Sequence, residues 1–337
     1  MNSTESYVRP APRAKLGQRG VATDHAALAL AISSTAIFVL SALLAFLIAH
    51  DQLVARSKLT LMMVGLLLPL AFAVFARDRW ETALATVAVA CGFGAGMIGF
   101  TDIILRIGGD TGSAAGSLVE LLPLAGIGLI WAWARRAWAL FAALIACALL
   151  GLVALFMSGE NSAWIGFVGG VLLGMVLYWH FTVERYRNVL YLIEAILVGL
   201  FILALVAYLL LLLAPESAYA RVVSNLPPFY QNRLILWRSA LPGIQDYVYT
   251  GSGLGNAAMV LSSYVYLLHV PYVFHVHNLY LEIFLEQGVA GLVGFLGMLV
   301  ASLWSVVITL RQGNPRYQRY AVCIGISLFS LAIAGLF

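Results

Sequence analysis

One short segment of the chain places a histidine where it could do chemistry. His277 comes at the start of a stretch whose apolar spacing predicts a helix over 277–288 that continues into an apolar run. A neutral imidazole near pH 7 can act as a general base, so His277 is a candidate catalytic residue. The pattern also fits an interfacial histidine without a catalytic part, and the pair His275 and His277 is only a weak metal-ligand signal.

A second candidate group precedes the histidine, where arginines lie next to aromatic residues. Arg233 and Trp237 stand four positions apart, and an arginine guanidinium in such a setting suits the capture of a phosphate. Arg238 fits two interpretations equally well, as a phosphate ligand or as an interfacial anchor. The glycine-rich stretch 251–255 lacks the lysine of a phosphate-binding loop, which favours a turn that allows close backbone approach.

The composition indicates that these residues belong to a membrane protein. Apolar residues make up 62% of the 337 positions and charged residues only 10%, with a mean hydropathy of +0.95. Soluble globular chains contain about a quarter charged residues. The net charge of +4 comes mostly from loop arginines and predicts topology rather than a nucleic-acid partner. The three cysteines lie in apolar runs without disulfide or zinc spacing.

The sequence predicts an all-α, polytopic integral membrane protein with about nine or more transmembrane helices and one long loop on the outer side. The predicted spans are 26–49, 59–76, 82–100, 115–134, 137–157, 163–182, 189–213, 287–310 and 320–337. The predicted regions are a basic cytoplasmic tail (1–25), a seven-helix transmembrane region (26–214), the long loop (215–286) and further transmembrane helices (287–337). The last apolar run ends at Phe337 without a polar tail, so we expect the natural protein to continue.

Positive charge predicts the orientation. Alternate loops hold thirteen and six of the Lys and Arg residues, and the richer set, which includes the N-terminal tail, is expected to be cytoplasmic. The long aromatic loop 215–286 then lies outside, where we expect short interfacial helices and the active site. The ionisable residues near the spans gather toward the same outer side: Asp102, Arg106, Asp110, Glu120 and Glu160.

These residues together resemble a known family. The segment from His277 to Gly291 is similar to the H-N-x-x-L-x-x-x-x-E-x-G-x-x-G stretch of the bacterial O-antigen ligase and O-antigen polymerase superfamily, and is most like the ligases. The residues that match this stretch are His277, Asn278, Leu281, Glu286, Gly288 and Gly291. An R-x-x-x-W and a Gly-x-Gly precede it in the family, and Arg233, Trp237, Gly251 and Gly253 stand in that order here.

The resemblance implies a glycosyltransferase of GT-C-like architecture in the bacterial inner membrane, with its active site facing the periplasm. O-antigen polysaccharide would move from undecaprenyl pyrophosphate, whose tail lies in membrane lipid, to the lipid A–core acceptor. His277 would be the general base and Arg233 would stabilise the leaving pyrophosphate, in one inverting step without metal or cofactor. The substrate-binding residues it implies are Arg238, Arg221, Arg106, Asn278, Trp237 and Glu286. Arg106 is included because Asn161 stands where the family often has arginine.

Other activities stay open at this stage. O-antigen polymerases and protein O-oligosaccharyltransferases share the motif, and we favour the ligase because the matching loop is single and the acceptor-side loops are short. A transporter for a small anion or a lipid is the alternative of another class. The sequence lacks inverted repeats and broken mid-span helices with paired acids, which argues against transport.

Overall fold

The structure is a computed structural model. It describes residues 14–75, 79–107, 115–182, 215–225, 228–264, 276–312 and 314–336, with isolated positions between 196 and 210. The side chains at 14–24, 68–75 and 106–107, with a few others in the long loop, lie outside the described part. The predicted span 189–213 and the histidines at 269 and 275 also fall outside it.

The described residues form helices and no β-strand, which confirms the all-α prediction. The helices are α1 Ala14–Leu47, α2 Gln52–Phe75, α3 Trp80–Ile107, α4 Ala115–Ala134, α5 Trp138–Met157, α6 Asn161–Thr182, α7 Glu216–Val223, α8 Pro228–Asp246, α9 Ala257–Tyr264, α10 Leu279–Arg311 and α11 Pro315–Ala334. The short helices α7, α8 and α9 lie in the predicted long loop, as the sequence indicated.

Seven helices in the described part are long and apolar enough to cross a membrane. These segments are His25–Leu47, Trp80–Leu105, Ala115–Ala134, Trp138–Met157, Asn161–Thr182, Leu279–Arg311 and Pro315–Ala334. Each overlaps one of the predicted spans, and α2 occupies another, although its side chains from residue 68 onward are not described. The prediction of a multi-pass membrane protein is confirmed, while the number nine stays a prediction.

Two helices begin earlier than the hydropathy predicted. Helix α1 begins at Ala14 rather than at 26, because no proline follows Pro12 before the apolar run and the basic segment extends the helix. Helix α10 begins at Leu279, before the predicted span 287–310 but within the helix predicted over 277–288, because Asn278 supplies a side-chain cap there. Hydropathy marks the apolar part of a helix, whereas these helices continue into polar sequence.

Glycines allow α6 and α11 to pack closely in antiparallel fashion. Gly166, Gly170 and Gly174 recur at intervals of four on α6 and therefore lie on one face of the helix. A Cβ atom built on Gly166 would lie 2.6 Å from the Cβ of Ala334, and one on Gly170 would collide with Ser330. Small residues that let backbones approach are the usual basis of helix association in membranes.

The interface of α1 with α10 follows the same principle and adds polar and aromatic contacts. A Cβ on Gly294 would lie 2.7 Å from the backbone nitrogen of Phe38. The Ser41 hydroxyl donates a hydrogen bond of 3.0 Å to the side-chain carbonyl of Gln287, and both residues are buried. The first and tenth helices are thus held together along the part of α10 that follows the long loop.

The two ends of the helix bundle differ in charge. One end, called here the basic end, carries Arg135, Arg136, Arg311, Arg316 and Arg319. The opposite end, called the loop end, brings the α1–α2 turn, the start of α10 and the end of α11 together with the long loop. The predicted orientation puts the basic end in the cytoplasm and the loop end on the periplasmic side, and this placement stays a prediction.

Replacing Gly170 by Val is expected to destabilise the protein by about 1–3 kcal/mol, because the added methyl groups force α6 away from α11. The measurement is the thermal unfolding midpoint in detergent. Gly65→Val is the matched control, since no atom lies within 4 Å of a Cβ at that position. An equal loss of stability in both variants would contradict close packing at Gly170.

Candidate active site

The turn that carries His277 is fixed by the first residues of α10. Asn278 caps the helix, because its side-chain oxygen accepts a hydrogen bond of 3.0 Å from the backbone N–H of Leu281. Its side-chain amide donates to the backbone carbonyl of Leu336 at 3.0 Å, and the Leu279 N–H donates to the carbonyl of Gly335 at 2.8 Å. The start of α10 is therefore bonded to the end of α11.

His277 itself adopts an unusual backbone conformation. Its φ angle is +54°, in the left-handed region that residues other than glycine rarely adopt, and the residue is exposed. Such conformations persist where the surrounding structure enforces them, and they concentrate at functional sites. The neighbouring residues Val276 and Asn278 are both buried, so the turn is anchored on each side of an accessible imidazole.

Helix α8 holds the same turn from the other side. The Arg233 Nη1 donates to the backbone carbonyl of His277 at 3.3 Å, and the Trp237 Nε1 donates to the carbonyl of Val276 at 3.1 Å. Residues four apart on a helix share a face, which explains why both side chains reach consecutive carbonyls. The structure thus brings Arg233, Trp237 and Asn278 to one site around His277.

The long loop has an apolar core of its own, which positions α8. The buried residues of this core come from α7, α8, α9, the turn before α10 and α10 itself. They are Val223, Leu234, Trp237, Ala240, Ile244, Ala257, Val260, Leu261, Val276 and Leu285. Because Trp237 belongs to this core and also bonds the turn, the folding of the loop sets where the histidine lies.

Helix α10 is interrupted nearly three turns after its cap. Gly288 has φ +68° and ψ −168°, which is not helical. Backbone groups next to it therefore form hydrogen bonds with residues outside α10. The N–H of Val289 donates to the carbonyl of Val248 at 2.7 Å. The Leu285 carbonyl accepts from both the N–H and the hydroxyl of Ser252, at 2.7 Å and 2.9 Å. The long loop therefore satisfies backbone groups that a continuous helix would satisfy itself.

The glycine-rich turn 251–255 is the part of the loop that docks against this interruption. The N–H of Gly253 donates to the carbonyl of Glu286 at 3.1 Å, and the N–H of Leu254 donates to that of Ala45 at 3.1 Å. A Cβ on Gly253 would lie 2.7 Å from the Cα of Ala49. Close backbone approach, the favoured interpretation of this stretch, is confirmed. These amides are bonded within the protein, so they do not form a phosphate cradle.

A lysine that the sequence analysis did not select completes this region. The Lys58 Nζ lies 2.7 Å from the Glu282 carboxylate and 2.6 Å from the Glu286 carboxylate, whose side chain is only 5% exposed. Glu282 and Glu286 are four residues apart on α10 and share a face. The backbone of Gly255 also hydrogen-bonds the Glu286 side chain. The only sequence signal for this lysine is indirect: two glutamates on one face of a predicted helix indicate a cationic partner, but not which residue it is.

Three predicted site residues remain to be placed: Arg238, Arg221 and Arg106. Arg238 pairs with Glu216 at 2.9 Å and so joins α8 to α7, where Glu216 is 81% exposed. Arg221 is exposed on α7. Arg106 is the penultimate residue of α3, and its side chain is not described.

The described residues offer no cluster for a metal ion. No group of three or more His, Cys, Asp or Glu side chains within the described ranges could hold one. His275, the only partner that the sequence suggested for His277 in such a site, lies outside those ranges. A cationic group does reach the histidine turn, since the guanidinium of Arg233 bonds the His277 carbonyl.

Comparison with known proteins gives one match. The family described as O-antigen ligase matches residues 145–296, from within α5 into α10. This range contains all the predicted site residues except Arg106, and it does not include Lys58. No curated protein and no solved structure matches the chain. The match, which covers less than half of the chain, supports the O-antigen ligase and polymerase superfamily and a membrane enzyme of that type, without singling out the ligase.

Proposed function

We propose that the protein is an O-antigen ligase, which transfers a glycan from undecaprenyl pyrophosphate to the lipid A–core acceptor at the periplasmic side of the bacterial inner membrane. The observation that carries the proposal is the contact of Arg233 with the turn of His277, which puts a phosphate-binding cation beside an accessible imidazole. The family match and the seven apolar helices support a lipid-linked substrate.

The reaction that suits this pair is a single displacement. The imidazole of His277 accepts the proton of the acceptor hydroxyl, whose oxygen bonds to the anomeric carbon of the donor sugar. The bond between that carbon and the pyrophosphate oxygen breaks, and its electron pair leaves with the pyrophosphate. Arg233 stabilises the charge that develops there, so the step inverts the anomeric centre and needs no metal.

The remaining site residues divide into two roles in this proposal. Arg238, Arg221 and Arg106 contact the pyrophosphate or the first sugars. Trp237 and Asn278 act as positioning residues, because their hydrogen bonds reach the backbone on each side of His277. Glu286 supports the site indirectly through its pairing with Lys58, which joins α2 to α10.

His277→Ala and Arg233→Ala are each expected to abolish transfer, with losses of about a hundredfold or more. Arg233→Lys should stay impaired, because a lysine cannot form the two parallel bonds of a guanidinium. The assay is glycan transfer from the purified undecaprenyl-pyrophosphate donor to lipid A–core in EDTA, with the protein in detergent.

The matched controls are His50→Ala and Arg56→Ala, two exposed residues of the same types at the loop end, which should keep near-normal activity. Near-normal transfer by His277→Ala would overturn the catalytic assignment. If the wild type instead lengthens the lipid-linked donor, the polymerase activity replaces the ligase. Transfer to a serine or threonine peptide would identify a protein O-oligosaccharyltransferase.

Lys58→Met is expected to cost about 3 kcal/mol of stability and to lower activity, because it leaves the buried Glu286 carboxylate without its cation and next to Glu282. Adding Glu286→Gln should recover much of the stability, since the amide carries no charge. The thermal unfolding midpoint in detergent measures both effects, and Arg56→Met on the same helix is the control. A double variant no more stable than Lys58→Met would contradict the proposed pairing.

A further inference from the structure

A cavity opens at the basic end, far from the histidine turn. It has a volume of about 730 Å³ and lies between the end of α4, the start of α5 and the start of α11. Apolar side chains, among them Leu129, Trp133 and Phe141, form its walls, and three arginines, Arg135, Arg316 and Arg319, contribute to its lining. Cavities of about 300–1,000 Å³ are the size at which proteins bind small ligands.

The charge of the lining favours an anion. The Nε of Arg316 pairs with the Glu81 carboxylate at 3.0 Å. The Arg135 guanidinium lies over the ring of Trp131, 5.7 Å from its centre. Within the described ranges neither Arg135 nor Arg319 forms an ion pair with a carboxylate. Among the described residues, the cavity thus has two guanidinium groups without a carboxylate partner, and their fork geometry matches phosphate oxygens.

Aromatic residues place the cavity at the level of lipid headgroups. Trp133 and Trp138 form an edge-to-face pair with centres 5.0 Å apart, and Phe141 lies 5.4 Å from Trp133. Both tryptophans are more than half exposed, at 58% and 54%. Exposed tryptophans at the ends of spanning helices mark the membrane interface. The apolar walls of the cavity therefore extend from the level of the headgroups toward the hydrocarbon core.

The cavity is separate from the proposed active site. Helix α11 has 20 residues, so its two ends lie roughly 30 Å apart. Its first residues line the cavity, whereas the residues just after its end bond the start of α10. The residues of one site therefore take no part in the other.

We propose that this cavity binds an anionic phospholipid of the leaflet at the basic end. The lipid phosphodiester bonds Arg135 and Arg319, and its acyl chains cover the apolar walls. A water-soluble phosphate would bind the arginines but leave the apolar walls in contact with water. A lipid matches both the charged and the apolar part of the lining. Basic pockets between the ends of transmembrane helices are suited to such headgroups.

The test is a titration of the full-length protein in detergent with phosphatidylglycerol or phosphatidylethanolamine, followed by native mass spectrometry. Phosphatidylglycerol should bind about tenfold or more tightly than phosphatidylethanolamine, because the arginines repel the ammonium group of the latter, and Arg135→Gln/Arg319→Gln should remove that preference. Ala134→Trp should also weaken binding, because the indole fills the cavity while the charge stays the same. Glycerol phosphate, the soluble probe, should not displace the lipid.

The matched control is Arg136→Gln/Arg311→Gln, which removes the same charge from exposed positions at the same end that do not line the cavity. It should keep the lipid preference of the wild type. Equal affinity of the wild type for both lipids would overturn the proposal, as would an equal loss in the control variant. Displacement of phosphatidylglycerol by glycerol phosphate would show a site for soluble phosphate instead.

Discussion

The arrangement of the site depends on how the backbone bonds are satisfied where α10 breaks at Gly288. A helix that stops and resumes near the membrane leaves carbonyl and amide groups without partners, and unpaired groups of this kind are costly. Here the long loop supplies the partners: Ser252 for the carbonyl of Leu285, and Val248 for the amide of Val289. The loop is thereby attached to the transmembrane bundle by bonds that leave little freedom in its position.

The position of the loop then determines the position of His277. Helix α8 packs into the loop core through Trp237, and the same indole holds the backbone before the histidine. Lys58 adds a charged link between α2 and the first two turns of α10. The histidine turn is thus defined by several elements that lie far apart in the chain, and the imidazole stays accessible among them.

Hydropathy predicted most of the transmembrane architecture. Exposing polar groups to lipid is costly, so each spanning helix requires a continuous apolar segment that can be recognised in the local sequence. Hydropathy located α4 at its observed bounds and missed the polar extension of α1, whereas the apolar spacing of 277–288 predicted the early start of α10. The grouping of Arg233, Trp237 and His277 was predicted from a family resemblance rather than from spacing. Lys58 was missed because its partners lie more than 200 positions away in the chain. The cavity at the basic end was not predicted, because its lining comes from three helices that are separated in the sequence and no local sequence pattern marks it.

The bonding of α10 to α11 has an electrostatic consequence for any anion that approaches the histidine turn. The first N–H groups of a helix carry partial positive charge and its last carbonyls carry partial negative charge. Leu279 and Asn278 bring the positive end of α10 against the carbonyls of Gly335 and Leu336, so the two helix dipoles meet with opposite signs and largely cancel. In the proposed reaction, the helix ends would therefore attract the donor pyrophosphate only weakly, and guanidinium groups would have to stabilise its charge.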